Sequence, residues 1–282
     1  MRPVGTRLDD RQLRLLDEWA PGLVVVKDHS WGLVGTTVLE VEHDGRRLLV
    51  KAGDGADHHL AREIDAHERW LDPWVATGGA PALLRADRAA KLLVRQWLPG
   101  RLVLGSPAAD DERTYRQAGT LLAALHAQAS VVDDEHEARE NARTLRWLGA
   151  RHRIADATVD HVRALVATWP DAPATLVPTH GDWQPRNWLV DSGVVRVIDF
   201  GRAAWRPAMT DLARLAGQEF ARDPRLEAAF LEGYGRDPRE PAAWHRVRLR
   251  EAVATAAWAH QVGDEAFEAQ GLRLLDQALA VF

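Results

Sequence analysis

Cysteine is absent from the 282 residues, which excludes disulfides, thiolate metal sites and cysteine nucleophiles and suits a reducing compartment. No run of apolar residues approaches a membrane span, and Met1 to Asp10 lack the apolar stretch that directs secretion, so a cytoplasmic protein away from the membrane is expected. Positive charge does not dominate. The 36 Lys and Arg against 41 Asp and Glu give a formal net charge of -5, so there is no basic field for nucleic acid or an anionic membrane, and no feature calls for an obligate protein partner. Lysine is scarce: Lys27, Lys51 and Lys91 are the only three beside 33 arginines, so each stands out. Tandem repeats and low-complexity segments are missing as well. What remains is an ordinary globular composition, 46% hydrophobic in 31.4 kDa, enough for one large domain or two lobes.

The residues able to do chemistry concentrate in one stretch. His180-Gly-Asp182-Trp-Gln-Pro-Arg-Asn187 is followed by Val197-Ile-Asp199-Phe-Gly201. Pro185 lacks an N–H and biases Gln184 away from helical angles, so Asp182 and Asn187 belong to a loop. Trp188 to Val197 reads as two short strands around an Asp191-Ser-Gly193 turn, a hairpin that carries Asn187 and Asp199 on adjacent ends. A first acid, an amide five residues on and a second acid after a hairpin meet the needs of phosphoryl transfer: a base for a hydroxyl, and oxygen ligands for Mg²⁺. The plain alternative is a polar turn that happens to hold these groups, which their order and spacing disfavour.

The stretch resembles the H-x-D-x4-N and D-F-G motifs of kinases, and with His-Gly-Asp at its head it is similar to the aminoglycoside phosphotransferase family. The resemblance implies a two-lobed protein-kinase-like α/β (α+β) fold, with a β-rich nucleotide-binding lobe over residues 1–98 and a mostly helical catalytic and acceptor-binding lobe over 99–282. It implies an enzyme that moves the γ-phosphoryl of ATP, or of GTP, to a hydroxyl of a small molecule such as an aminoglycoside or related antibiotic. A metabolite kinase for an amino alcohol or sugar, and a nucleotide-binding pseudokinase serving as an interaction module, are the alternatives; the intact Asp182 and Asn187 argue against the second.

Carried onto the matching positions, the resemblance implies Asp182 as the catalytic base, Asn187 and Asp199 as holders of Mg²⁺, and Lys51, ending Leu-Leu-Val-Lys, as the residue that steadies the ATP phosphates. Glu63 is the expected partner of Lys51, with Glu68 as substitute. Gly32 and Gly35 are a sparse counterpart of the glycine-rich loop, since G-x-G-x-x-G is not present, and adenine is expected against the backbone near Gln96 to Leu98. Gln184 stands where protein kinases commonly place a lysine, which makes Arg186 or Arg202 a candidate for the missing charge.

Apolar alternation predicts strands over 23–27, 36–43 and 46–51, the last two joined at Asp44-Gly45, then strands from Pro81 and over 92–98. Helical spacing predicts helices over 8–19, 58–71, 115–125, 144–154, 157–169, from Thr210, and over 226–234, 242–262 and 265–282, with loops at 170–178 and 202–207. His126 reads as structural, and Asp211 is placed to cap its helix or, by resemblance, to brace the catalytic loop. Acidic residues at Asp133, Asp134, Glu135, Glu137 and Glu140 and at Asp264, Glu265 and Glu268 could attract a cationic acceptor, or form solvated faces. Twelve positions separate Asp199 from Asp211, only Thr210 between them bears a hydroxyl, and no Ala-Pro-Glu follows. That leaves no room for a phosphorylatable switch and a peptide platform, so the acceptor is expected to be a small molecule.

Overall fold

Asp9 accepts the Gln12 N–H and Gln12 returns a bond to the Asp9 N–H, a capping box that satisfies two orphan donors and starts helix α1 (Asp10–Trp19). The Gln12 amide also donates to the Gly53 and Ala90 carbonyls, both at 2.9 Å, and so ties α1 to the strands that follow. These contacts come from a computed structural model, which describes residues 8–30 and 35–281.

The next elements are β1 (Val24–Asp28), β2 (Thr37–His43), β3 (Arg46–Ala52), α2 (His59–Arg69), α3 (Asp72–Ala76), β4 (Leu83–Asp87) and β5 (Leu92–Gln96). Their strands form one antiparallel sheet in the order β1-β2-β3-β5-β4. Asp44 at φ 48° and Gly45 at φ 70° are both left-handed, as a tight two-residue hairpin turn requires, and they set the pairing of His43 with Arg46. Alternation along the strands then sorts the two faces. Leu39, Val41, Val50 and Val94 pack with Leu16 of α1, whereas Leu93 packs with Leu60 and Ile64 of α2. Burying each of these side chains is worth about 1.5–3 kcal/mol. Lys51 follows Val50 and pairs in register with Leu93, so it stands on the face that α2 covers.

Beyond the sheet come β6 (Arg101–Leu102), α4 (Glu112–His126), β7 (Val131–Asp133), α5 (His136–Trp147), α6 (Asp156–Val166), β8 (Ala174–Thr179), β9 (Trp188–Asp191), β10 (Val194–Val197), β11 (Ala204–Arg206), α7 (Ala213–Gly217), α8 (Glu219–Arg222), α9 (Pro224–Tyr234), α10 (Pro241–Val262) and α11 (Glu265–Leu279). Two small sheets have the orders β10-β9-β6 and β11-β8-β7. The result is the expected mixed α/β fold, with an antiparallel-sheet-rich N-terminal region and a helical C-terminal region. None of the described helices is long and apolar enough to cross a membrane.

By contacts the chain divides into two compact units that interleave along the sequence, whereas the sequence reading divides it once, at residue 98. The first takes Met1–Leu125, His180–Ala204 and Ala228–Gly235. Its helices α4 and α9 cross closely, since a Cβ at Gly233 would collide with the Arg116 carbonyl. The second unit takes His126–Thr179, Trp205–Glu227 and Arg236–Phe282, and its core gathers Leu148, Val162, Leu249, Val253 and Leu275 from α5, α6, α10 and α11 and their flanks.

Three expectations need correction. The helix expected over 144–154 is α5 (His136–Trp147), which runs through the acidic cluster because Glu137 is buried against arginines instead of facing water. The segments expected as loops contain β8 and β11. Pro178 argues against a strand, but β7 pairs with β8 only as far as Leu176, so the ring costs that ladder no hydrogen bond.

Candidate active site

Lys51 is the centre of a buried charge cluster within the first unit. Its Nζ lies 2.7 Å from Glu63 Oε2 and 2.9 Å from Asp199 Oδ1. The strand alternation that puts Lys51 on the α2 face, and the helical turn that puts Glu63 beside Ile64, bring the first pair together. Of the two glutamates considered, Glu63 is the partner; Glu68 instead reaches Arg88 at 2.5 Å. Burial pushes the Lys51 pKa down, but Asp199 and Glu63 outweigh it and hold it above its ordinary value. The reciprocal effect depresses Asp199 to about 2, chiefly through the Lys51 charge.

Asp199 stands at φ 68°, a left-handed conformation that non-glycine residues adopt only when their surroundings impose it. The surroundings here are specific. Ile198 N–H donates to the Asn187 carbonyl at 3.0 Å, closing the β9–β10 hairpin so that Asn187 and Asp199 leave it side by side. On the other flank, His59 Nδ1 donates to the Gly201 carbonyl at 2.9 Å, anchoring the loop to the start of α2.

Asp182 is buried, and three side chains hold its carboxylate. Gln184 donates to Oδ1 at 2.5 Å, while Arg186 and Asn187 donate to Oδ2 at 2.7 and 2.9 Å. The Asn187 amide nitrogen also donates to the Asp182 carbonyl at 2.8 Å, which leaves the oxygen of that amide as the atom able to take a cation. His180 is the brace beneath. Its Nε2 donates to the Ile198 carbonyl at 3.1 Å and its Nδ1 accepts the Asp182 N–H at 3.2 Å, which fixes one tautomer. Under the loop lies an aromatic floor: His180 meets Phe200 at 5.1 Å and Trp183 at 5.4 Å, and Trp183 meets Trp188 at 5.5 Å.

Other expected positions fall as follows. Gly32 lies outside the described residues, and at Gly35 a Cβ would collide with the Asp54 carboxylate, a packing reason for that glycine. The Gln96 and Trp97 N–H groups are taken by the Ala82 and Arg47 carbonyls, whereas the backbone of Leu98 has no hydrogen-bond partner among the described residues. Arg186 is bound to Asp182. His126 is buried with its Nε2 3.1 Å from Asp211 Oδ2, a structural pairing. Among the described residues no three His, Asp or Glu converge as a metal cage. Asn187 and Asp199 nonetheless supply hard oxygen donors, and a Mg²⁺ site completed by phosphates and water needs only one or two such protein ligands. Sequence reasoning missed Gln184 as a carboxylate holder, His59 as a loop anchor, and Arg95, whose Nε lies 3.9 Å from Glu63.

The acidic residues singled out for a cationic acceptor are largely neutralised. Asp133 and Glu135 meet Arg139, Glu137 meets Arg246 and Arg250, Glu140 meets Arg143, and Glu268 meets Arg153 and His260. Asp264 caps α11 by accepting the Phe267 N–H.

A sequence profile of the APH phosphotransferase enzyme family matches residues 28–250. No curated protein matches the chain. Among solved structures, the choline kinase LicA from Streptococcus pneumoniae is 14% identical with a TM-score of 0.70, over 97% of this chain and 100% of that one. A thermostable mutant of aminoglycoside phosphotransferase APH(4)-Ia, in ternary complex with AMP-PNP and hygromycin B, is 13% identical with a TM-score of 0.71, over 95% of this chain and 97% of that one. Macrolide 2'-phosphotransferase type I is 21% identical with a TM-score of 0.59, over 96% and 98% respectively. At such identities the likeness is one of fold.

Proposed function

Because the chain belongs to the phosphotransferase enzyme family, we propose that it transfers the γ-phosphoryl of ATP to a hydroxyl of a small molecule, with Asp182 as base, Lys51 on the nucleotide phosphates and Asn187 and Asp199 as the Mg²⁺ ligands. The observation that carries the reading is the buried Lys51, held between Glu63 and Asp199. A lysine 93% buried between two carboxylates has no use as a solubilising charge. It is fixed in position, as a group that binds phosphate in a chosen place has to be.

In this reading Asp182 accepts a hydrogen bond from the acceptor hydroxyl and takes its proton as the oxygen bonds to phosphorus and the bond to the ADP leaving oxygen breaks. Gln184, Arg186 and Asn187 fix the direction of that carboxylate, so its orientation is set before the substrate arrives. Mg²⁺, when bound, neutralises charge on the phosphates. The backbone of Leu98, without a hydrogen-bond partner among the described residues, supports adenine binding there, by a recognition that uses no side chain. Choline, hygromycin B and macrolides are what the similar proteins' names carry. The acceptor here belongs to the same broad class of small hydroxylated molecules. GTP as the donor is compatible with the same phosphate contacts.

The test is a Mg²⁺-dependent rise in melting temperature with ATP. Ligand at 100 times its Kd stabilises by about 2.7 kcal/mol, so a rise of several degrees is expected, and GTP in parallel ranks the two nucleotides. ATP consumption across a panel of hydroxylated metabolites and antibiotics then separates an enzyme from a nucleotide-binding module. No shift with either nucleotide would remove the reading.

A further inference from the structure

Helical spacing of i, i+3, i+4 and i+7 puts Glu140, Arg143, Thr144 and Trp147 on one face of α5, and Val247, Arg250, Glu251 and Ala254 on one face of α10. With the segment from Arg206 to Ala213, these faces wall an open pocket whose lining belongs entirely to the second unit. Part of the wall is apolar, through Trp147, Val247 and Ala254, and part is charged. Arginine is in excess there. Arg143, Arg206 and Arg250 face Glu140 and Glu251, and both glutamates already have arginine partners, Glu140 with Arg143 at 3.5 Å and Glu251 with Arg214 at 3.1 Å. His136, also in the wall, is held below its ordinary pKa by burial, so at neutral pH it adds no charge.

Arg250 is fixed in place and incompletely satisfied. It is 92% buried, its Nη2 donates to Glu137 at 2.8 Å and to Asn141 at 2.5 Å, and its guanidinium carbon lies 5.0 Å from the centre of the Trp169 ring. Its Nε is sealed from solvent without a partner, and its Nη1 makes no hydrogen bond among the described residues. Glu137 is shared with Arg246 at 3.2 Å, so one carboxylate serves two guanidiniums, and all three side chains are at most 14% exposed. A buried guanidinium in excess of its carboxylates is costly until an anion completes it. Its planar fork suits a carboxylate or phosphate better than any other ligand group.

We propose that this pocket is a binding site for a small organic anion, a carboxylate or phosphate monoester on an apolar body. The anionic group completes Arg250, with Arg143 as its second donor, and the apolar body lies against Trp147 and Val247. The site is complete within the second unit, takes its ligand without nucleotide, and goes beyond the phosphotransferase reading without resting on it. A cation of the same shape finds no uncommitted carboxylate in the wall, and the guanidiniums repel it.

The experiment is a ligand-observed NMR titration of the full chain, free of nucleotide and at fixed ionic strength, with four probes of similar shape: benzoate, phenyl phosphate, benzyl alcohol and benzylamine. One of the two anions is expected to bind at least tenfold more tightly than the alcohol or the amine. Arg143→Gln, at a half-exposed position, is expected to weaken that binding about tenfold, the scale of one hydrogen bond to a charged group. Glu251→Gln removes a negative charge from the wall at a partly exposed position and is expected to tighten it about two- to fivefold, the scale of an exposed ion pair. General damage to the fold would weaken binding in both variants, so the opposite signs tell the site from a structural lesion, and an anion bound elsewhere on the chain would respond to neither. A preference for the anions below tenfold, binding no weaker in Arg143→Gln, or binding no tighter in Glu251→Gln would each overturn the proposal.

Discussion

Removing either partner of the Lys51–Glu63 pair should have unequal costs. The cluster contains two cations, Lys51 and Arg95, and two anions, Glu63 and Asp199. Glu63→Gln leaves both buried cations facing only Asp199, whose side chain is half-exposed. Breaking a buried pair in this way costs about 3–5 kcal/mol, because the charge left behind is not rehydrated. Lys51→Met leaves Glu63 with Arg95, still one cation to one anion, while Asp199 turns to water; the loss is about 1–2 kcal/mol, the scale of charge-assisted hydrogen bonds. The difference of about 2 kcal/mol corresponds to about 4–8 °C in melting temperature. Scanning calorimetry and urea titration of the two variants measure it, and an ATP-consumption assay run alongside should find turnover severely reduced in both. If Lys51→Met melts as low as Glu63→Gln or lower, the charge accounting is wrong. If it turns over at the wild-type rate on saturating ATP, Lys51 does not serve the phosphates.

Further outcomes follow from single residues. His67 is buried beside Arg95 and Lys51 with its pKa pushed down from 6.5 to about 3, first by burial and then by those charges. The unfolded chain therefore takes that proton first, and stability should fall by about 1.4 kcal/mol per unit as pH drops from 6.5 toward 3, while above pH 7 the residue contributes no slope. His67→Gln should flatten that limb in urea titrations at successive pH values; an unchanged limb would show the acid sensitivity lies elsewhere. Gly233→Ala should destabilise by about 1–3 kcal/mol, because the methyl group meets the Arg116 carbonyl on the facing helix; a neutral substitution would mean α4 and α9 are less closely packed. Thr210 donates to the Pro207 carbonyl at 2.8 Å, a local turn contact, so Thr210→Ala should keep near-normal activity and mass spectrometry of active protein should find the residue unmodified. Stoichiometric γ-phosphate labelling of a generic protein substrate would contradict a small-molecule acceptor.

The sequence was most legible where one local rule decides the structure. Asp44-Gly45 and Ser192-Gly193 adopt the left-handed angles a tight hairpin demands, so the turns, and with them the strand registers that place Lys51 and Asp199, could be read directly. Glu63 was harder. Helical spacing brought both Glu63 and Glu68 into consideration, and only the packing of α2 on Leu93 decides which one faces the sheet. The holders of Asp182 were illegible for a similar reason: Gln184 and Arg186 look like loop residues until the turn at Pro185 folds them back. The same holds for β7, which is a strand only because it pairs with β8 across the forty residues between them. Charge clusters were the least legible. Glu137 read as a solvated acid, and its burial against Arg250 depends on α10 and α5 coming together.

Asp182 is assigned to the acceptor and Asp199 to the nucleotide's metal, and paired calorimetry and turnover on Asp182→Asn and Asp199→Asn separate the two roles. Asp182→Asn should keep Mg-ATP affinity close to that of the wild type and lower phosphoryl transfer by about 10²–10⁴-fold, the usual effect of losing a general base. Asp199→Asn should weaken Mg-ATP binding and transfer together. Equal loss of nucleotide affinity in the two variants, or wild-type transfer by Asp182→Asn, would contradict the assignment.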